Sequence, residues 1–245
     1  MSVQIDHKSN SVSWRRRGRL SPDSVGASPA RNGRRRVAAL VCAATLALLG
    51  VLAMGVDIEL ARWFDAKNCP TAIKKCLDLC EVFGHGFGVA GILLTVWVLA
   101  PRLRPKLPRI IVSTYVAGLI ALSCKLLLER NRPIRTPLSS IAGVAETFGE
   151  WFPGSSAGSA WQSFPSGHAA TAIGLALGLT WLLPRGKWLF AALVVLVALQ
   201  RIASGYHYLS DTLWGAAIGW LIASIWLPGG WLSGYFDRLE ARLAE

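Results

Sequence analysis

The 245-residue chain is 53% hydrophobic and only 16% charged, with a mean hydropathy of +0.42. Soluble domains carry about 25% charged residues, so the composition points to a membrane and away from an ordinary soluble domain. Its 26 basic and 14 acidic residues leave a formal charge of +12, but the charges lie in short blocks between apolar runs, which disfavours nucleic-acid binding.

Residues 1–36 carry nine Arg or Lys against two Asp, among Ser, Pro and Gly. This stretch reads as a disordered, basic cytoplasmic tail able to touch anionic lipid. The run Val37 to Val56 that follows has 20 residues. It is too long for a signal-peptide core despite the arginines at 34–36, and is expected to be a retained first membrane helix. Five more apolar runs follow: Gly84–Ala100, Ile110–Leu128, Ala169–Leu183, Trp188–Leu199 and Leu213–Leu227. The expected fold is all-α: a polytopic membrane bundle of six transmembrane helices over residues 37–228, with a short cytoplasmic tail at 229–245. The last three runs are short for spans needing ~20 residues. Each borders an ionisable residue, which places a polar site inside the bundle below the membrane surface.

Charge bias orients the expected bundle. Residues 101–109 hold four basic residues and no acid, and the turn at Arg185 and Lys187 is purely basic. With six spans these blocks and the 1–36 tail share one side, so both termini are expected in the cytoplasm and the loops 57–83 and 129–168 outside. Trp63, Trp97, Trp151, Trp161, Trp181, Trp188, Trp226 and Trp231 lie near predicted span ends, as interfacial tryptophans do. Of five cysteines, Cys42 and Cys124 fall in apolar runs, whereas Cys69, Cys76 and Cys80 share an outer loop where one disulfide could form. Loop 129–164, with Trp151, Phe152 and Trp161, is the least legible region and a candidate lipid entrance.

Three polar stretches fall on the outer side. Lys125 precedes Arg132-Pro133 by seven residues, about two turns, so both cations can face one way if the helix runs to Asn131 and Pro133 stops it. Alone, this pair also fits snorkelling flank residues. Pro165-Ser166-Gly167-His168 sits directly before a long apolar run, where unpaired helix N–H groups make an anion site and Gly167 permits close approach. Alone, it also fits an ordinary N-cap. Arg201 lies near the end of the fifth run, Gly205 is a plausible helix breaker, and His207 and Asp211 are four apart, so the carboxylate can hold one imidazole nitrogen. Alone, that pair also fits a fixed turn. Together the stretches offer three cations, a helix N-terminus, two histidines and a carboxylate, which suit a phosphoryl group. With no carboxylate cluster and one His per stretch, no metal site and no cofactor are expected; the cations do the charge work.

Lys125-x6-Arg132-Pro133, Pro165-Ser166-Gly167-His168 and Arg201-x5-His207-x3-Asp211 resemble, in order and spacing, the three-part signature of the type-2 phosphatidate phosphatase superfamily, which also contains soluble vanadium haloperoxidases. The resemblance spans about residues 84–228. It implies His207 as a nucleophile forming a phosphohistidine, Asp211 as its orienter and His168 as general acid. It further implies Lys125, Arg132, Ser166, the Gly167 amide and Arg201 as phosphate ligands, and a lipid phosphate as partner. Where the family often has Ser before the third-stretch Arg, this chain has Gln200. Six spans argue against the soluble branch. The expected function is a membrane phosphatase acting on a lipid phosphate or diphosphate at the outer face of a cell membrane. The alternatives are a lipid phosphotransferase on the same scaffold and a non-enzymatic transporter, the latter disfavoured because the ionisable residues gather at one end of the spans.

Overall fold

The computed structural model describes residues 29–152 and 158–244. Helices account for most of it: α1 (Pro29–Ala53), α2 (Asp57–Asp65), α3 (Thr71–Cys80), α4 (Gly86–Leu99), α5 (Leu107–Cys124), α6 (Gly167–Leu182), α7 (Lys187–Ala203), α8 (Leu209–Trp226) and α9 (Ser233–Leu243). Two short strands, β1 (Leu128–Arg130) and β2 (Phe148–Trp151), pair antiparallel, with Leu128 opposite Trp151 and Arg130 opposite Phe148. The all-α expectation is corrected to this extent. Residues 29–36 also depart from the expected tail: they form the first turns of α1, while 1–28 lie outside the described residues.

The membrane signal is narrower than six spans. Among the described residues three stretches are long and apolar enough to cross a bilayer: Pro29–Ala53, Pro101–Cys124 and Pro184–Ala203. Thr71–Phe83 and Gly86–Leu99, bent by 64° at their junction, meet the measure as a pair and bring the number to four. The other two expected spans, α6 and α8, have 16 and 18 residues and do not meet it. α6 is short for a span that needs ~20 residues, and both helices lie in the interior of the bundle. α6 packs against α5, α7 and α8, and 11 of its 16 residues are buried. α1, by contrast, buries only Ala39, Ala43, Gly50 and Ala53 and presents Val37, Leu40, Leu48 and Leu52 outward, as a lipid-facing helix does.

Small residues let these helices approach closely. A Cβ at Gly174 would lie 2.9 Å from Thr114 Cα on α5, one at Gly219 2.5 Å from the Ala170 carbonyl, and one at Gly215 2.2 Å from the Ser166 carbonyl. α5, α6 and α8 therefore meet backbone to backbone. Side by side with this seam, Val89, Leu93, Leu107, Ile110, Leu175, Leu179, Phe190 and Val197 form the largest apolar core. The C-terminal end of α5, the N-terminus of α6, the end of α7 and the start of α8 then meet at one end of the bundle. At the other end the buried Arg109 guanidinium binds Asp237 (2.5 Å) and Glu240 (2.6 Å) of α9. All five cysteines are free thiols.

Candidate active site

Lys125 does not stand on a helix that continues to Asn131. α5 ends at Cys124, and the next amides, of Lys125, Leu126 and Leu127, bond back to the carbonyls of Leu122, Ser123 and Cys124 before the chain straightens into β1. The two-turn alignment of Lys125 with Arg132 is thus corrected, yet both side chains still reach one cavity. Backbone hydrogen bonds stitch the three stretches together. Ser163 N–H donates to Arg130 O (3.0 Å), Arg132 N–H to Ala160 O (2.9 Å), Ser166 N–H to Asp211 O (3.0 Å) and Ile134 N–H to Gly205 O (2.9 Å). Gly205, at φ +69°, reverses the chain after α7 as expected.

The cavity holds about 370 Å³ and is lined by Lys125, Arg132, Gly167, His168, Arg201 and His207, with Tyr115, Leu119 and Leu122 along one side. Lys125 Nζ donates to the Gln162 carbonyl at 2.5 Å. Burial pushes its ammonium down to about 8; Asp211 opposes the shift, and Arg132 and Arg201 add to it. Tyr206, which the sequence reading passed over, holds the two guanidinium groups near one another, its ring centre 5.3 Å from Arg132 and 4.5 Å from Arg201. Nε of Arg132 and Nε of Arg201 are both buried without a protein hydrogen-bond partner. Such donors are costly unless an acceptor meets them, and two on residues that line one cavity with Lys125 suit an anion carrying several oxygens.

His207 sits in the turn between α7 and α8, 3% exposed. Its Nδ1 lies 3.7 Å from Asp211 Oδ2, longer than a hydrogen bond but close enough to orient the ring. Nε2 is thereby left for the cavity. Burial pushes the imidazole down to about 4, against the pull of Asp211, so it is neutral and carries a free lone pair at pH 7. Asp211 itself does not line the cavity. It is completely buried behind His207, its oxygens accepting from Ser163 Oγ (2.6 Å), Tyr208 N–H (2.8 Å) and Arg130 Nη1 (2.5 Å). Ser166 is likewise set back. It is fully buried as the N-cap of α6, its Oγ accepting from Ala169 N–H at 3.4 Å, whereas Gly167 faces open space.

Behind Asp211 stands a network that the three stretches do not contain. Arg130 reaches Asp211 through Nη1 and Asp57 of α2 through Nη2 (2.8 Å), and also donates to Ser210 Oγ (2.7 Å) and Thr147 Oγ1 (3.1 Å). Asp57 accepts from Ser210 through both its N–H and its hydroxyl. Burial works against the Arg130 charge, but Asp211 and Asp57 outweigh it and hold the guanidinium above its usual range. The only advance signal was an Arg next to Glu at the end of the Leu126–Leu128 run; nothing connected it to Asp57. A further unexpected group is Glu81, just after α3, whose Oε1 lies 2.6 Å from Arg201 Nη1 and 3.2 Å from His168 Nε2. Among the described residues no three His, Cys, Asp or Glu side chains are grouped so as to hold a metal ion.

The model of the PAP2 superfamily matches residues 106–233, a stretch containing all eight site residues expected from the sequence but neither Asp57 nor Glu81. A lipid A 1-phosphatase of Rhizobium johnstonii is 38% identical over 61 residues, and the match spans a quarter of this chain and a quarter of that protein's length. The crystal structure of Aquifex aeolicus LpxE superposes with a TM-score of 0.48 at 22% identity, covering 69% of this chain and 93% of that one.

Proposed function

We propose, from the premise that this chain belongs to the PAP2 superfamily, that it is an integral-membrane phosphatase hydrolysing a lipid phosphate monoester or diphosphate through a phosphohistidine. The observation that carries the reading is the convergence on one cavity of two buried, unpartnered guanidinium Nε groups and a buried neutral imidazole. In this reading Lys125, Arg132, Arg201 and the Gly167 amide bind the phosphoryl oxygens, with Ser166 shaping the helix N-terminus that presents the amide. His207 Nε2 attacks phosphorus while Asp211, held by Arg130, keeps the ring in place. The bond to the lipid oxygen breaks with its electron pair on oxygen, and His168 supplies the proton. Water then cleaves the phosphorus–nitrogen bond. Fixed cations supply the positive charge, and the mechanism runs without a metal ion.

Apolar side chains support a lipid as the substrate class. Leu119 and Leu122 border the cavity and are 59% and 53% exposed, so an alkyl chain lying along α5 would cover them. Candidates are undecaprenyl diphosphate, phosphatidylglycerol phosphate, phosphatidate and lipid A phosphates. We assign six membrane segments, counting α6 and α8 as inner spans enclosed by the rest. The cell membrane is the assigned location, with the termini cytoplasmic and the cavity facing the periplasm or exterior. The test is phosphate release by the purified protein from a panel of these lipids, with and without EDTA. His207→Ala should lower turnover by ~10³-fold or more without unfolding the protein. Near-normal activity of that variant would defeat the mechanism, and loss of activity in EDTA restored by magnesium would defeat metal independence. Transfer of the phosphoryl group to an acceptor other than water would make the protein a phosphotransferase.

A further inference from the structure

Glu81 comes from outside the three stretches, yet its carboxylate is the nearest anion to two of their side chains. Oε1 lies 2.6 Å from Arg201 Nη1 and 3.2 Å from His168 Nε2. The segment carrying Glu81 is fixed on both sides. Gly84 packs so tightly on the His168 carbonyl that a Cβ there would lie 2.8 Å from it. Gln200, the residue that departs from the family pattern, donates from Nε2 to Glu81 Oε2 (3.4 Å) and Asp78 Oδ1 (3.1 Å), and its Oε1 accepts from Arg201 Nη1 (3.3 Å). A serine hydroxyl at position 200 would be too short for this reach.

An imidazole has two nitrogens, and a carboxylate beside one decides what the other does. Nε2 of His168 is buried and makes no protein hydrogen bond; Glu81 Oε1, 3.2 Å away and off the N–H direction, is close enough to accept from it after a small turn of either side chain, and Nδ1 is then left for the leaving oxygen. We infer that Glu81 is a positioning residue for His168: it accepts from the Nε2–H of the imidazolium that acts as general acid, and leaves Nδ1 to give its proton to the departing lipid oxygen. As the phosphorus–oxygen bond breaks, its electron pair goes to that oxygen and the Nδ1 proton follows. In the second half-reaction the neutral ring, still N–H at Nε2, takes a proton back from the attacking water at Nδ1. Asp211 serves His207 on one side of the cavity, and Glu81 serves His168 on the other. Glu81 also neutralises part of Arg201, so its removal frees that guanidinium for phosphate and does not weaken anion binding.

The inference rests on the role proposed for His168, and one experiment separates the two. An alkyl phosphate, here a short-chain phosphatidate, needs its leaving oxygen protonated; 4-nitrophenyl phosphate does not, because its leaving group is a stable anion. Glu81→Gln should lower kcat/KM for the phosphatidate by about 10- to 100-fold, less than the ~10²–10⁴-fold that a general acid itself contributes, and change that for 4-nitrophenyl phosphate by less than about threefold. His168→Asn should show the same selectivity with a larger loss on the phosphatidate. Equal losses on both substrates with Glu81→Gln, or none on either, would overturn the inference while His168→Asn still discriminates. Failure of His168→Asn to discriminate would overturn the general-acid role itself and the inference with it. Glu81→Asp, which keeps the charge but retracts it by one methylene, should fall between the wild type and Glu81→Gln, and it carries the same comparison if Glu81→Gln does not fold.

Discussion

Replacing Arg130 with Met tests whether the network behind His207 holds the fold and the site together. Met has a comparable reach but no charge, so Arg130→Met leaves Asp57 and Asp211, both with side chains at 0% exposure, without their shared cation. Each carboxylate keeps other donors: Ser210 for Asp57, and Ser163 Oγ and Tyr208 N–H for Asp211. The loss is therefore the uncompensated charge more than the hydrogen-bond count. Removing one partner of a buried pair costs about 3–5 kcal/mol, a large share of the ~5–15 kcal/mol that stabilises a typical protein. For a chain of this size that corresponds to a drop in Tm of roughly 6–20 °C, read by differential scanning fluorimetry in detergent. Turnover of the folded fraction should also fall by about 10-fold or more, because Asp211 loses one of the bonds that fix it under His207. Arg130→Lys keeps the charge but cannot span both carboxylates with two forks, and should lie between. A Tm within about 2 °C of the wild type together with unchanged turnover in Arg130→Met would refute the coupling of this network to the site.

Three further outcomes are expected. Lys125, held down to about 8 by burial, is charged below that pH and neutral above it, so kcat/KM should fall as pH rises through about 8, and Lys125→Arg should move this limb upward; an identical limb in both would show that another group titrates. Gly215→Ala places a Cβ 2.2 Å from the Ser166 carbonyl, an overpacking that costs typically ~1–3 kcal/mol and displaces the N-terminus of α6. Lower Tm and lower turnover should appear together, and full activity would show that α6 adjusts freely. A reporter fused after Gly158 should be active only if exported and one after Pro105 only if cytoplasmic, and the reverse pattern would turn the cavity to the inner leaflet.

The residues lining the candidate cavity were largely legible because their chemistry is local. A Pro-Ser-Gly-His entry to an apolar helix, an Arg near the end of another, and a His four residues before an Asp each mark a helix end, and helix ends are where short-range sequence decides structure. Gly205 was readable for the same reason. What lies behind them was not. Asp57, Glu81 and Arg130 have no spacing relation to the residues they serve: Arg130 meets Asp57 across 73 positions and Asp211 across 81, and Glu81 meets Arg201 across 120. The same long-range demand explains the helix that stopped early. A separation of seven positions from Lys125 to Arg132 matches two helical turns, but the burial of Arg130 between two carboxylates, with β1 paired to β2, outweighs local helical preference. Apolar run length likewise marked the outer helices, which face lipid, and overstated the likeness of α6 and α8 to them. Those two are enclosed by other helices and need only small residues at their contacts. The sequence by itself determined the chemistry lining the cavity; the tertiary structure decided which distant charges hold that chemistry in place, because a buried charge is satisfied by whatever the fold brings beside it.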